Sequence, residues 1–293
     1  MEPIREGNFW DRLYDGVKVR VVELDPPKSS DISRYLDCAR DLKRAGIDLL
    51  TIPDGPSAKA RVDSCMMASN VKRNLGMEVL PHITCRDRNG IALRALFMGL
   101  QADGINDALL VTGDPLGVEE KPVEVLGYKS VFEYNSRDMA KKIGELVGEE
   151  LTNPFNLFGA LNVNAANFDA EMDKAKAKIE SGMCGLLTQP IFSEEAIANL
   201  ERASKELECF IFGGILPITS AAAARYMNDE VPGIKIPEEI ISQFEDKKRA
   251  DASMLSVQLS VETAAKIETL IDGFYIITPG YRTDLVCDIL SKI

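Results

Sequence analysis

Near the end of the first apolar segment, VRVVELDPP, stands a carboxyl group placed to act as a proton donor. Glu23 shares side-chain parity with Val19 and Val21, and the pair Pro26 and Pro27 ends the strand just beyond it. A carboxyl in this position is partly desolvated, which raises its pKa and lets it protonate a substrate nitrogen near neutral pH. The other interpretation is a rim carboxylate paired with a neighbouring Arg or Lys, and position alone favours neither.

Two further apolar segments carry polar side chains at or near their ends. In DALLVTGDP, Thr112 and Asp114 share one parity, and Gly113 between them permits close approach by a ligand. An isolated Gly-Asp-Pro more often forms a turn. His82, in PHITC, is the only histidine of the chain, and a lone histidine on an apolar strand is more often a core residue than a catalyst. A single histidine also argues against a histidine-cluster metal site and a Ser-His-Asp triad.

Eight apolar segments alternate with helical patterns along the chain. This alternation predicts the α/β class and a (β/α)8 TIM barrel, with residues 1–293 as one domain, because parallel strands covered by helices are apolar on both faces. The active site is then expected at the C-terminal ends of the strands. The predicted strands are VKVRVVELD, DLLTIP, EVLPHITC, DALLVTGD, NLFGALNVN, GLLTQP, CFIFGGILP and GFYIIT. The predicted helices include ISRYLDCARDLKRAG, VDSCMMASNVKRNLG, GIALRALFMGLQADG, AKKIGELVGEEL, DAEMDKAKAKIESG and EEAIANLERASKELE.

Composition narrows the class of protein further. The net charge of -12 argues against a nucleic-acid partner, because such binding depends on clustered Lys and Arg. The six cysteines form no C-x-x-C pair, so they predict reduced thiols and neither a zinc nor an iron-sulfur site. No apolar run approaches the length of a membrane span, and the first residues lack a signal-peptide pattern, so a cytoplasmic protein is expected.

Two segments interrupt the regular alternation. The segment 115–138, PLGVEEKPVEVLGYKSVFEYNSRD, is long for a connection and is predicted to cover a ligand above the fourth strand. The segment 228–254, after the seventh strand, is predicted to hold short helical pieces and to form another wall of the barrel mouth.

Five motifs of this chain together resemble the methylenetetrahydrofolate reductase family. They are VVELDPP, PHITCRDRN, LLVTGDP, GLLTQPIF and GGILPI, in the family's order and spacing, and the match spans nearly the whole chain. The resemblance implies a β/α barrel that holds a flavin, usually FAD, at the strand C-termini. It implies reduction of 5,10-methylenetetrahydrofolate to 5-methyltetrahydrofolate.

The resemblance also implies roles for particular residues. Glu23 matches the family's general acid, which protonates N10 of the folate so that the five-membered ring opens to an iminium at N5; the flavin N5 then passes a hydride to the methylene carbon. Asp114 matches an aspartate beside the flavin and the pterin, and Gln189 matches a glutamine that hydrogen-bonds the pterin. Arg282, in ITPGYRTD, matches an arginine at the folate tail, with ordinary surface solvation as the alternative.

Other matched positions concern the flavin. Lys174 and Lys178 fall where the phosphates and ribose are held, although the pattern KAKAKIE alone indicates a solvated helix face. The remaining matched contacts are Thr51, His82, Thr112, Gly113 and Asn135. Several positions depart from the family pattern, which leaves FMN open beside FAD: Thr112 and Ala177 stand for Arg, Leu161 for Tyr and Ala165 for His.

Departures from the family pattern also affect which electron donors and partner proteins are expected. Ala223 and Met227 stand where better-known bacterial enzymes have Gln and Phe, which weakens the case for NADH. The expected electron source is therefore NAD(P)H or a separate iron-sulfur subunit, in a homo-oligomer or a hetero-complex. Two alternatives stay open: a non-catalytic flavin- or folate-binding subunit, and another flavin barrel such as a proline-dehydrogenase relative.

Overall fold

A computed structural model describes residues 8–114 and 130–293 and has eight parallel strands closed into a barrel in sequence order. The barrel closes where β1 pairs with β8, from Val19 opposite Gly273 to Glu23 opposite Ile277. The predicted (β/α)8 barrel of a single domain is confirmed. The strands are β1 (Val19–Glu23), β2 (Leu49–Ile52), β3 (Val79–Thr84), β4 (Asp107–Val111), β5 (Asn156–Leu161), β6 (Met183–Pro190), β7 (Phe210–Ile215) and β8 (Gly273–Ile277).

Helices follow the strands and cover the outside of the barrel. The helices predicted from the sequence begin and end within a few residues of the predicted limits. N-cap residues such as Asp63 and Asn89 mark the same starting points as the apolar periodicity. The helices are α1 (Asn8–Tyr14), α2 (Ser33–Arg44), α3 (Ser64–Leu75), α4 (Gly90–Ala102), α5 (Ser136–Gly148), α6 (Phe168–Glu180), α7 (Glu194–Glu206), α8 (Ala221–Glu230), α9 (Glu238–Ile241), α10 (Arg249–Ile267) and α11 (Thr283–Leu290). None of the helices in the described ranges is long and apolar enough to cross a membrane.

The segment after the seventh strand is only partly as predicted. It does hold short pieces, α9 and a 3-10 turn at Ser242–Phe244. The prediction of short pieces is wrong beyond them, because the 19-residue helix α10 begins at Arg249, inside the segment. Its buried face includes small and hydroxyl side chains such as Ala252, Ser256 and Ser260, so the apolar periodicity that reveals a helix is weak.

The N-terminal helix α1 closes the end of the barrel where the strands begin. Phe9 and Trp10 are buried and pack with inward-facing strand residues such as Phe158 and Phe212. Trp10 Nε1 donates a hydrogen bond of 3.1 Å to Asp107 Oδ1 at the start of β4. This plug fills the lower barrel interior, so the open space lies at the C-terminal ends of the strands.

Most of the segment 115–138, which is predicted to cover a ligand, belongs to the part of the chain that is not described. Residues 115–129 lie outside the described residues, and the description resumes at Ser130. The prediction that this segment covers a ligand therefore stays a prediction.

Candidate active site

A cavity of about 550 Å³ opens at the C-terminal ends of the barrel strands. Its floor is apolar, with Leu109, Val111 and Leu187 among its residues, and acidic and basic side chains surround it. The size is typical of small-molecule and cofactor sites, which combine apolar walls with a few placed polar groups. The other lining residues used below are Glu23, Asp25, Asp54, Arg61, His82, Thr84, Arg86, Gly113, Asp114, Ala160, Gln189, Met227 and Tyr275.

Glu23 lies at the end of β1 with its side chain in this cavity. The hydroxyl of Tyr275, on the paired strand β8, donates a hydrogen bond to Glu23 Oε2. The pKa of Glu23 is raised from its ordinary value of 4.5 to about 8, chiefly by burial and also by the charge of Asp25, while the hydrogen bond from Tyr275 acts to lower it. Near neutral pH this carboxyl therefore holds a proton, as a general acid must.

His82 stands beside Glu23 on β3 and is the only histidine of the chain. Its Nε2 lies 3.8 Å from Glu23 Oε2 and 2.6 Å from Thr51 Oγ1. Burial lowers the pKa of His82 to about 4, so the ring is neutral when the neighbouring carboxyl is protonated. The short distance between Glu23 and His82 is thus a contact of two neutral groups, not an ion pair.

Ion pairs fix the loops around the cavity. Asp25, two residues after Glu23, pairs with Arg61 at 3.0 Å. Asp54 accepts hydrogen bonds of 3.0 Å from both the backbone N–H and the hydroxyl of Thr84, and it also pairs with Arg88. Sequence reasoning did not select these residues as functional, although the run CRDRN after the third strand carries an evident charge pattern.

The predicted residue Gln189 reaches the cavity because β6 is irregular. The register with β7 shifts between Leu187 and Pro190, and the hydroxyl of Thr188 accepts the N–H of Gly214 at 2.8 Å. Such an irregularity redirects a side chain at a strand end. It places Gln189 among the residues that line the cavity. Its hydrogen bond to the pterin, which the family resemblance implies, stays a prediction.

Gly113 and Asp114 follow β4 and also line the cavity. Gly113 has φ +94°, and a Cβ there would lie 3.0 Å from Arg86 Cβ and 3.1 Å from Thr84 Cβ. The glycine is therefore needed for packing against the end of β3. The backbone carbonyl of Asp114 accepts a hydrogen bond of 3.4 Å from Arg86 Nη1.

Thr51, Thr112 and Asn135 are predicted cofactor contacts that do not line the described cavity. Thr51 is fully buried and contacts His82. Thr112 Oγ1 accepts the backbone N–H of Ser136, at 3.4 Å. Asn135 caps α5, where its side-chain oxygen accepts two backbone N–H groups.

The three basic residues predicted to contact the flavin or the folate, Lys174, Lys178 and Arg282, do not line the described cavity. Lys178 is partly buried and donates to the carbonyl of Ala160, a lining residue, and desolvation lowers its pKa. Lys174 is 64% exposed and lies 3.5 Å from Glu171. Arg282 forms a bidentate pair with Asp284 and is not among the described lining residues.

Comparison with known protein families shows to which family this chain belongs. The family model described as methylenetetrahydrofolate reductase matches residues 10–291. The chain belongs to the methylenetetrahydrofolate reductase family.

Named relatives agree with this assignment. The 5,10-methylenetetrahydrofolate reductase of Salmonella typhimurium is 22% identical over 226 residues, which cover 76% of this chain and 72% of that protein. The enzyme of Escherichia coli is 21% identical over the same shares. The predicted membership of the methylenetetrahydrofolate reductase family is confirmed, and the chain is an enzyme of this type.

Solved structures with low identity share the fold. An uncharacterised protein from Clostridium thermocellum, whose structure is described as binding two copies of 5-methyl-5,6,7,8-tetrahydrofolic acid, has a TM-score of 0.67 at 15% identity and covers 96% of both chains. A tryptophan synthase from Mycobacterium tuberculosis has a TM-score of 0.55 at 13% identity, covering 99% of this chain and 97% of that one.

The methylenetetrahydrofolate reductase cavity has groups that suit a flat heteroaromatic ring. Leu109, Val111 and Leu187 offer apolar surface, and Gln189 and His82 offer hydrogen-bonding groups beside it. This donor set fits the ring of a flavin or a pterin. The described residues contain no group of three or more His, Cys, Asp or Glu side chains that could hold a metal ion.

Proposed function

We propose that this enzyme reduces 5,10-methylenetetrahydrofolate to 5-methyltetrahydrofolate in a flavin-dependent reaction in which Glu23 is the general acid. Family membership supports the reduction of methylenetetrahydrofolate. The observation that carries the proposed mechanism is the buried Glu23 carboxyl, whose pKa is raised to about 8 inside the cavity. A carboxyl that is protonated near neutral pH can pass its proton to N10 of the folate and open the five-membered ring.

The chain's own residues have separate tasks in this proposal. Glu23 donates the proton, and Tyr275 holds the carboxyl in place through its hydrogen bond to Oε2. Gln189 and Asp114, at the ends of β6 and β4, bind the pterin through its amide-like edge. We also propose Arg282 for the folate tail, which requires that it leave its pair with Asp284.

A bound flavin supplies the hydride that reduces the methylene carbon. We propose FAD, with FMN as the alternative, held by His82, Gly113 and Asp114 from the cavity wall. Thr51, Thr112, Asn135, Lys174 and Lys178 complete the proposed set around it. The partly buried ammonium of Lys178 supports a role near phosphate, because an anion would favour its charged form, which desolvation disfavours.

Partners remain part of the proposal. We propose NAD(P)H or a separate iron-sulfur subunit as the electron source, in the cytoplasm, with assembly as a homo-oligomer or a hetero-complex. The described Clostridium thermocellum protein supports a folate ligand, because its similar barrel binds a methylated tetrahydrofolate.

The test follows the folate half-reaction directly. The purified protein is reconstituted with FAD or FMN and reduced anaerobically with dithionite, and methylenetetrahydrofolate is then added while flavin absorbance is recorded. We expect rapid flavin reoxidation with formation of 5-methyltetrahydrofolate. In Glu23→Gln we expect flavin binding to persist and reoxidation to slow by about 100-fold or more, because an amide cannot supply the proton.

Each alternative gives a different result. A chain that binds flavin without reoxidation by the folate is a binding subunit, and one that exchanges electrons with proline instead belongs to another flavin barrel. No flavin absorbance after reconstitution would remove the flavin from the proposal. Replacing dithionite by NADH or NADPH shows whether a nicotinamide can serve as donor.

A further inference from the structure

The segment after β1 carries a second carboxylate close to the proposed acid. Asp25 follows Glu23 by two residues, and both residues line the cavity. The side chain of Glu23 is 14% exposed and that of Asp25 is 33% exposed. The proposed mechanism uses Glu23 and gives Asp25 no task, although the charge of Asp25 is one of the causes that raise the pKa of Glu23.

Arg61, from the segment after β2, holds the chain at Asp25. Its Nη2 lies 3.0 Å from Asp25 Oδ2, and its Nη1 donates a hydrogen bond of 2.9 Å to the carbonyl of Pro26. The backbone N–H of Val62 donates a hydrogen bond of 2.9 Å to the carbonyl of Pro27. Nε of Arg61 is buried without a hydrogen-bond partner among the described residues, so the guanidinium acts through its two terminal nitrogens. Three successive residues are thus tied to one neighbouring segment.

Backbone hydrogen bonds hold the other end of this segment, at the acid itself. The carbonyl of Glu23 accepts the N–H of Thr278 at 3.1 Å, and the N–H of Leu24 donates to the carbonyl of Thr51 at 3.1 Å. Because the chain is held on both sides, the carboxylate of Asp25 has a fixed position relative to Glu23. A charge that is already in place acts on its neighbour without rearrangement.

We propose that Asp25 and Arg61 are positioning residues for the general acid. Asp25 places a negative charge near Glu23, and Arg61 holds that charge and the chain that carries both carboxyl groups. A nearby like charge disfavours the ionised form of a carboxyl, so Asp25 helps Glu23 to stay protonated until the folate is bound. This role rests on the proposed function, in which Glu23 is the acid.

The titratable groups that face Glu23 from other strands are uncharged near neutral pH. Tyr275 of β8 donates a hydrogen bond to Glu23 Oε2, and Nε2 of His82 on β3 lies 3.8 Å from the same oxygen. Burial raises the pKa of Tyr275 above its ordinary value of 10 and lowers the pKa of His82 to about 4. Among the described residues that shift the pKa of Glu23, Asp25 is therefore the one that carries a charge.

Two cations favour the ionised form of Asp25. Burial raises the pKa of Asp25 above its ordinary value of 3.8, whereas the charges of Arg61 and Lys28 act to lower it. Tyr35 of α2 and Tyr281, after β8, also lie near this carboxylate, and burial raises the pKa of both phenols above 10, so they stay neutral. The cations thus support the negative charge of Asp25, and Arg61 also determines where that charge lies.

Asp25→Asn separates this role from that of an ordinary structural ion pair. The amide oxygen can still accept hydrogen bonds from Arg61, so the segment stays in place while the charge is lost. If the pair were only structural, the variant would lose some stability and Glu23 would keep its proton affinity. The positioning role instead requires that the pKa of Glu23 falls.

An infrared pH titration of Glu23 in the flavin-reconstituted protein tests Asp25. The carbonyl band of the protonated carboxyl is assigned by its loss in Glu23→Gln. In wild type we expect the band to be half lost at about pH 8, and in Asp25→Asn at a pH lower by about half a unit or more. Asp37→Asn is the matched control, because Asp37 is 71% exposed on α2 and pairs with Arg40. Equal midpoints in wild type and Asp25→Asn would overturn the role of Asp25.

Flavin reoxidation by methylenetetrahydrofolate at low pH tests Arg61. Arg61→Met should slow the rate plateau by about 10-fold, because the chain that carries the acid loses its hold. Arg61→Lys should recover part of that rate, since an ammonium still pairs with Asp25 but lacks the fork that also reaches Pro26. Arg40→Met should leave the plateau unchanged, and circular dichroism should show equal folding in all variants. A wild-type plateau in Arg61→Met, or no recovery in Arg61→Lys, would overturn the role of Arg61.

The two readouts distinguish failure of this role from failure of the proposed function. If the folate does not reoxidise the flavin of wild type, the proposed function fails, while the infrared titration still measures the effect of Asp25 on Glu23. If reoxidation proceeds as proposed and Asp25→Asn leaves the Glu23 midpoint in place, the function stands and the positioning role of Asp25 is wrong.

Discussion

At the scale of single residues, the site depends on a carboxyl that burial keeps protonated. Glu23 has its pKa raised to about 8, whereas His82 beside it has its pKa lowered to about 4 by the same burial. Both groups are therefore neutral around pH 7, and only Glu23 carries a proton acidic enough to donate. Sequence parity predicted the position of Glu23, but its hydrogen bond to Tyr275 joins residues 252 positions apart and needed the fold.

The pH dependence of the folate half-reaction follows from the Glu23 pKa. The reaction uses the protonated carboxyl, so its rate constant should stay level up to about pH 7 and fall as pH rises through about 8. Stopped-flow reoxidation of the reduced flavin by methylenetetrahydrofolate, recorded from pH 6 to 9, measures this in about half-unit steps. A rate that rises with pH over the same range would exclude Glu23 as the acid.

Tyr275→Phe should move that pH profile. Tyr275 is buried, and its hydrogen bond lowers the pKa of Glu23, so removing the hydroxyl should raise that pKa and shift the fall in rate to higher pH. The rate plateau should also drop by about 10-fold, because the carboxyl loses the contact that orients it. Tyr226→Phe is the control, since Tyr226 lines the cavity and is 52% exposed. A plateau loss without any shift would give Tyr275 a purely structural role.

At the scale of elements, the strands were the easiest part to predict. All eight lie within the predicted segments or differ from them by two residues at one end, because burial on both faces makes each an apolar run. Helix α10 was missed because its buried face includes serines, and the plug helix α1 was not predicted because its seven residues are too few to show periodicity. The partner of Arg282 depends on the local turn before α11, which the sequence match did not specify.

The residues after the C-terminal end of β4 show how packing between strands constrains a residue that lines the cavity. Gly113→Ala should lower the free energy of unfolding by about 2–4 kcal/mol, because it combines a positive φ with contacts of 3.0 Å and 3.1 Å to Arg86 and Thr84. Gly182→Ala is a close control, since its φ is +103° and its Cβ would meet nothing within 4 Å. Urea unfolding of both variants separates backbone strain from crowding. Equal losses in the two variants would show that the packing against β3 is not tight.

At the scale of the whole molecule, the two ends of the barrel are built differently. The C-terminal end is an open cavity with an apolar floor and charged residues around it, while the N-terminal end is sealed by Phe9 and Trp10 of α1. Asp107 links this plug to the barrel by accepting hydrogen bonds from Trp10 and from Asn156, the latter at 2.7 Å. A buried carboxyl thus sits at each end, and both make stability depend on pH.

At the sealed end, the pKa of Asp107 determines whether the stability of the fold rises or falls with pH. The pKa of Asp107 is raised to about 7 chiefly by burial; the hydrogen bonds from Asn156 and Trp10 act to lower it, and the charges of Glu78 and Lys72 act in opposite directions. Because the folded pKa lies above the ordinary value of 3.8, the folded state binds the proton more tightly. Its contribution to stability is fully present below about pH 4 and is lost as pH rises through about 7.

Asp107→Asn should remove this pH-dependent contribution to stability, while its side-chain oxygen can still accept hydrogen bonds from Trp10 and Asn156. Relative to wild type, the variant should therefore gain stability between pH 5 and pH 8, by up to about 3 kcal/mol given 1.36 kcal/mol per pKa unit. The Glu23 contribution is common to both proteins and cancels in the comparison. Urea unfolding at the two pH values, followed by the fluorescence of Trp10, the only tryptophan, measures the difference. If the stability gap between the two proteins is the same at both pH values, Asp107 ionises in the folded barrel as it does in the unfolded chain, and the plug is not held by a neutral carboxyl.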